Sequence, residues 1–201
     1  RFLSKPDMNG NSVPSPGFTT QQEVGKHVAT YKQGLKDALR KAPHVILIGE
    51  IRDRETMEIA IEAAQTGHIV ISTLHTNGAV KTLSRILEFF PQEQHRSLLG
   101  RLSEILMFIL SQGLIPTDNG RVLNYEFLQN NSSAVRSGIA SYDGAAKSLE
   151  DAIRHSGNIE WDANLKNLLN AGKISYHAFQ MNRMNEDEAD ELLFVQQKHA
   201  G

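Results

Sequence analysis

The sequence predicts an α/β fold, and three consecutive stretches carry that expectation. Val45–Ile48 is an unbroken aliphatic run of the kind required by a strand buried on both faces of a parallel sheet. Thr56–Thr66 places Ile59, Ala60, Ala63 and Ala64 at helical spacing and is followed by Gly67, a residue type that commonly closes helices. Ile69–Leu74 is a second apolar strand. Strand, helix and strand in this order make a crossover between parallel strands. Ligands of open α/β sheets bind outside the carboxyl ends of the strands. Glu50 follows the first strand after Gly49, and His75 stands at the end of the second. If the strands are neighbours, both side chains face one crevice. Taken singly, Glu50 reads more readily as a solvated turn residue and His75 as a satisfied loop histidine. Their matched positions are what favours a site.

The remaining elements follow in order. Residues 1–20 carry Pro6, Gly10, Pro14, Pro16 and Gly17 among polar residues, which is loop composition. Thr19–Val24 is expected as a short strand. Thr30-x-x-Gln33 is a capping-box pattern that starts a helix with Leu35, Ala38 and Leu39 on its buried face. Pro43 stops that helix near Lys41. Asn77 is expected to cap a helix running to Phe89, with Val80, Leu83, Ile86 and Leu87 inward, and Pro91 breaks it. Glu93–Leu110 is expected as one helix whose stripe Leu98, Leu102, Ile105, Leu106 and Ile109 is core packing. Leu114-Ile115 and Val122–Leu128 are strands joined at Asp118-Asn119-Gly120, where Asn-Gly marks a tight hairpin. From Ser132 the chain is expected to be helical in short pieces: Trp161–Ala171 closed by Gly172, Ser175–Met184, and Glu186–Lys198 with acids early and Lys198 late.

Composition bounds the class. At 201 residues, 40% apolar and 22% charged, the chain has the make-up of an ordinary globular protein with one sizeable core. A net charge of −2 offers no electrostatic case for nucleic acid or an anionic membrane. No apolar run approaches ~18 residues, so no membrane insertion is expected, and Arg1-Phe-Leu-Ser-Lys-Pro has no apolar signal region. The absence of cysteine excludes disulfides and thiolate zinc sites and suits the cytoplasm.

The pattern Gly49-Glu50-x-Arg52-Asp53-x-Glu55-Thr56, then Ala60, Ala63-Ala64, Thr66-Gly67-His68 and Thr73-x-His75-Thr76-Asn77, resembles the secretion ATPase superfamily. That superfamily includes the motors of type II secretion, type IV pili and type IV secretion. The first part is similar to its Walker B segment and the second to its histidine box. Gln22-Glu23-Val24 resembles a short signature preceding the Walker B segment. Ala134-Val135-Arg136 resembles a C-terminal Ala-Ile-Arg motif, although Gly138 departs from it, and an amphipathic surface helix accounts for the stretch equally well. Ala42-Pro43-His44 lacks the two acids of the family's Asp-Pro-Asp link. Without cysteine there is no four-cysteine zinc insertion, which among the relatives favours retraction-type motors and the conjugation and type IVB secretion ATPases.

The resemblance implies the C-terminal part of a RecA-like ATPase core followed by a helical appendage. In that division residues 1–18 are a linker, 19–128 a partial RecA-like domain and 129–201 a helical subdomain. It implies ATP and Mg2+ as ligands, a homohexamer, platform proteins of a pilus or secretion machine as partners, and a cytoplasmic site peripheral to the inner membrane. Glu50 is the candidate catalytic residue that orients the attacking water, because a carboxylate is an acceptor of suitable basicity. Gly49 stands where other Walker B strands carry a metal-binding Asp. His75 and Arg52 are candidate phosphate sensors, with an inter-subunit carboxylate or Asp53 as alternative partners for Arg52. Gly49, Asp53, Gly67, His68 and Thr73 support the motifs, His68 as a structural residue, and Arg136 carries the C-terminal one.

No Gly-x-x-x-x-Gly-Lys-[Ser/Thr] phosphate loop occurs in the sequence. The chain also opens on Arg rather than Met. The simplest account is a portion of a longer motor, inactive alone. A rival is a non-hydrolysing assembly or regulatory module of the same ring. A metal hydrolase built on Glu50, His68 and His75 is disfavoured, because the two histidines lie roughly 20 Å apart at opposite ends of one strand.

Overall fold

The computed structural model describes residues 5–6, 12–13, 18–144 and 147–184. Strands β1 (Lys5–Pro6) and β2 (Ser12–Val13) form a small antiparallel ribbon. Helix α1 (Tyr31–Arg40), strand β3 (Val45–Ile48), helix α2 (Arg54–Gln65) and strand β4 (Ile69–Ser72) follow. Helix α3 (Ala79–Glu88), helix α4 (His95–Ile105), strand β5 (Phe108–Thr117) and strand β6 (Gly120–Gln129) come next. The chain then passes through α5 (Ser133–Ala140), α6 (Lys147–His155), α7 (Trp161–Asn170) and α8 (Tyr176–Asn182). The expected helix Glu186–Lys198 lies outside the described residues. No helix among the described residues is long and apolar enough to cross a membrane.

The chain divides into two compact units. The first ends at Gly49 and includes Glu55–Ser72, so it holds α1, β3, β4 and nearly all of α2. Thr30 caps α1, its hydroxyl accepting from the Gln33 amide at 3.1 Å. Only half of the capping box forms, because the Gln33 side chain donates to Asp37 instead. β3 and β4 pair in parallel with Val45 opposite Ile69 and Ile48 opposite Ser72. Gly67 closes α2 at φ 97°, a conformation open to glycine at little steric cost.

Two expectations for this unit fail. β3 is covered on one face only: Ile46 and Ile48 are buried, whereas Leu47 is 74% exposed. Val45, Ile69 and Ile71 share that open face. A continuous aliphatic run encodes a strand with two covered faces, and the described residues supply a cover for one. Thr19–Val24 forms no strand. Val24 makes an isolated bridge to Val28 across a turn at Gly25, whose φ is 83°.

The second unit comprises Glu50–Arg54 and the chain from Thr73 onwards. Its centre is the antiparallel hairpin β5–β6, paired from Phe108 opposite Gln129 to Thr117 opposite Gly120. The loop residues are therefore Asp118-Asn119, one place before the expected Asn-Gly, and Gly120 supplies the positive φ of 136°. The expected helix Glu93–Leu110 is cut short. α4 stops at Ile105, and the Asn130 amide donates to the carbonyls of Ser103 and Leu106 at 2.8 and 2.9 Å. Phe108–Leu110 instead pair with Phe127–Gln129, so Ile109 is buried from a strand, not from the helical stripe. Side-chain periodicity alone does not separate these outcomes, because aliphatic residues suit both.

Alternate residues of the hairpin line one buried face: Ile109, Ser111, Ile115, Asn124 and Leu128. Trp161 and Leu165 of α7, Phe179 of α8 and Ile174 between them cluster with Ile115. Gly113 lies opposite Asn124 on this face, and a Cβ there would collide with the Trp161 ring. The indole NH donates to the Asn182 carbonyl at 2.8 Å, which fixes the ring against the strand. Gly113→Ala is expected to displace the ring and cost about 1–3 kcal/mol, the range for overpacked cores. Trp161 is the sole tryptophan, so a red-shifted emission with a lowered denaturation midpoint checks it.

Candidate functional site

Parallel pairing sets the site. The ladder extends past the strand ends, where the Ile51 amide donates to the Thr73 carbonyl at 3.3 Å. Glu50 and His75 therefore emerge on adjacent backbone segments. The His75 Nε2 and a Glu50 carboxylate oxygen are 3.0 Å apart. A carboxylate only accepts, so Nε2–H is the donor and this contact fixes the ring's tautomer. The other Glu50 oxygen accepts from the Arg52 guanidinium in a close ion pair. Glu50 is thus a partner of Arg52 beyond the expected phosphate, inter-subunit carboxylate or Asp53.

Glu50 is 25% exposed, beneath an Arg52 that is 77% exposed and a His75 that is 88% exposed. The Arg52 hydrogen bond holds the Glu50 carboxyl below the ordinary glutamate range, the His75 bond adds to this, and partial burial opposes both. A carboxylate of lowered pKa stays ionised at neutral pH and is a weak proton acceptor. It can orient a water molecule by accepting its hydrogen bond.

The other candidate residues are distributed more widely. Gly49 is the exposed link between β3 and Glu50, and Asp53 is exposed just before α2. Thr73 contributes the carbonyl that Ile51 meets. His68 sits behind the C-terminus of α2, with Nδ1 at 3.1 Å from the Ala63 carbonyl and 3.3 Å from the Thr66 hydroxyl. Arg136 lies on the exposed face of α5, away from the buried Val135, Gly138 and Ile139.

The chain just after His75 is held by residues that the sequence reading did not select. The cap of α3 is Gly78, at φ 95°, and not the expected Asn77. Gly78 offers no side chain, so the first amides of α3 are satisfied from the hairpin. The Gly78 amide donates to the buried Ser111 hydroxyl at 3.0 Å, and the Ala79 amide donates to the Glu126 carboxylate. Thr82 Oγ1 lies 2.8 Å from both the Gly78 carbonyl and Thr76 Oγ1. One signal could have found Glu126: it shares the inward period of β6 with Asn124 and Leu128, both fully buried.

Arg52→Ala is expected to raise the Glu50 pKa towards the ordinary glutamate value, as read by carboxyl 13C NMR titration. The sign follows from linkage. A depressed native pKa contributes stability that is present above the unfolded-state value and lost as pH falls through the native one. The variant should therefore lose less stability on acidification than the wild type. An unchanged Glu50 titration would remove Arg52 as the main cause.

Residues 15–160 match the family described as Type II/IV secretion system protein. A twitching motility protein of Neisseria gonorrhoeae is 38% identical over 170 residues, covering 83% of this chain and 45% of that protein. The type IV pilus retraction ATPase PilT of Pseudomonas aeruginosa is 38% identical over 162 residues, covering 79% and 46%. A crystal structure of the pilus retraction motor PilT with bound ADP aligns at a TM-score of 0.76 and 36% identity, over 86% of this chain and 49% of that one. The Legionella pneumophila ATPase DotB aligns at 0.73 and 27%, over 87% and 47%. The chain thus spans about half the length of these relatives. Over the matched part its mixed helix and strand fold is that of these ATPases. The chain belongs to the type II/IV secretion system protein family.

Proposed function

We propose that this chain is the C-terminal portion of a secretion-superfamily ATPase and carries its water-orienting carboxylate, Glu50. The observation that carries the reading is the contact of Glu50 with both His75 and Arg52 at adjacent strand ends. A phosphate anion competes with a partly exposed carboxylate for the same two donors. Nucleotide binding can then draw Arg52 and His75 onto phosphate oxygens and leave Glu50 to accept from the attacking water. Phosphoryl transfer asks little covalent chemistry of the protein and much positioning, which suits a weakly basic carboxylate. His75 stands where a donor to the γ-phosphate is useful, and Arg52 supplies permanent positive charge.

Both Glu50 oxygens already have donors, and Gly49 offers no ligand. These residues fit Mg2+ through a bridging water on Glu50 rather than by direct ligation. When bound, the ion would neutralise charge on the phosphates. The working assembly in this reading is a homohexamer at the cytoplasmic face of the inner membrane, with residues 19–128 as the partial core and 129–201 as the helical subdomain. It would drive pilus retraction or type IV secretion. The exposed face shared by Leu47, Val45, Ile69 and Ile71 suits a cover from the remainder of the RecA-like core. The lack of a phosphate-loop motif favours a second reading, a ring module that binds its neighbours without hydrolysing.

The 201-residue chain alone is expected to show no magnesium-dependent ATP turnover, because the phosphate-binding amides and lysine are missing. In a chain extended by an upstream half that carries a phosphate loop, Glu50→Gln should lower turnover by about 10²-fold or more while nucleotide affinity holds. Equal loss of both would make Glu50 a binding or structural residue. The non-hydrolysing reading predicts no turnover in the extended wild type either.

His75→Ala in the extended chain should act on kcat more than on affinity, because a donor to developing charge is worth most during transfer. Loss of one such donor costs about 10²-fold. If His75 only relays nucleotide state between subunits, basal turnover stays and cooperativity in ATP falls. Wild-type turnover and cooperativity together would remove His75 from the site.

A further inference from the structure

Glu126 is a half-buried carboxylate of the second unit, and the proposed chemistry does not use it. It lies on the buried face of β6, between Asn124 and Leu128. Burial pushes its carboxyl up, and two backbone donors oppose that: the amides of Ala79 and Trp161. Ala79 is the first residue of α3, and Trp161 is the first residue of α7. One side chain therefore holds the leading amide of α3 beside the start of α7. Helix N-termini carry partial positive charge, so a carboxylate suits both. α3 has no side-chain cap of its own, and neither does α7, whose cap residue is Glu160.

The surrounding contacts show what the carboxylate fixes. Ala79 follows His75 by four residues, and Gly78 just before it is anchored on Ser111. At the other end, Asn124 Nδ2 donates to the Trp161 carbonyl at 3.2 Å, and Asn164 Nδ2 donates to Asn124 Oδ1 at 2.9 Å. The Met184 amide donates to Asp162 at 2.8 Å. These bonds tie α7 to the same hairpin.

We propose that Glu126 is a positioning residue: by holding the first amide of α3 it sets the backbone that presents His75, and its strand neighbour Asn124 links that same backbone to α7. The inference rests on the reading of His75 as part of the nucleotide site. The structural link can be tested without turnover, so its failure is distinguishable from failure of that reading.

The test compares the wild-type chain with Glu126→Ala and Glu126→Gln by 15N NMR, following the His75 ring nitrogens and the Ala79 and Trp161 amides. Ile139→Ala, a core change in α5, serves as a control for general loss of stability. In Glu126→Ala the Ala79 amide proton should move upfield, and the His75 Nε2–H signal should broaden or shift as its bond to Glu50 loosens. In Glu126→Gln the shifts should be smaller but in the same direction, because a neutral acceptor makes a weaker bond than a carboxylate. If the alanine variant does not fold, the glutamine variant decides alone. His75 ring signals that stay at wild-type positions overturn the proposal, whether or not the amides move. So do equal His75 shifts in Ile139→Ala, which would make the effect one of stability only.

Discussion

The parallel pairing of β3 with β4 is the constraint on which the site depends. Its register sets Ile48 opposite Ser72, and the ladder continues as far as the Ile51 amide and the Thr73 carbonyl. With that register, Glu50 and His75 leave adjacent strand ends and come within hydrogen-bond distance. A slip of one residue would send alternate side chains to the opposite face of the sheet, turning the buried Ile46 and Ile48 outward. The burial pattern of the strand and the geometry of the site are thus fixed by one set of backbone bonds.

The site also shows how a carboxylate and two donors set one another's properties. Arg52 and His75 are well exposed and would be solvated alone. Glu50 engages both, and its lowered pKa records that engagement. This favours orientation of water over outright proton abstraction, since a base weakened by two donors accepts a proton less readily. Exchange of those donors onto phosphate would restore part of that basicity at the moment of use. In the proposed function, the same three residues pass from this mutually paired arrangement to a phosphate-directed one without any change of fold.

Much of this was legible in the sequence, for local reasons. β3, α2, Gly67 and β4 follow from short apolar periods and a helix-closing glycine. α1, α5 and α8 begin at Thr30, Ser132 and Ser175, each of which accepts a bond from an amide three residues on. What could not be read depends on partners distant in sequence. The end of α4 is decided by Asn130 and by the pairing of Phe108–Leu110 with β6, which a helical reading of Leu106 and Ile109 cannot see. The open face of β3 likewise depends on what covers the sheet, and not on the strand's own composition. The ion pair of Arg52 with Glu50 depends on the turn after β3, which folds the guanidinium back over the carboxylate.

The segment after His75 is the clearest case of distant control. Asn77 is a good capping residue by local rules, yet the helix starts one place later at a glycine. Its first amides are satisfied 33 and 47 residues away, by Ser111 and Glu126. A locally capped helix would hold its own start. This one is held by the hairpin, so the backbone bearing His75 inherits the rigidity of β5 and β6 and of whatever packs on them. The C-terminal helices pack on that same hairpin, α7 through Asn124 two residues from Glu126. In the proposed role of Glu126, change in one place is felt at the other through these few hydrogen bonds. Such bonds couple strongly because an amide left without a partner in the interior costs about 1–3 kcal/mol.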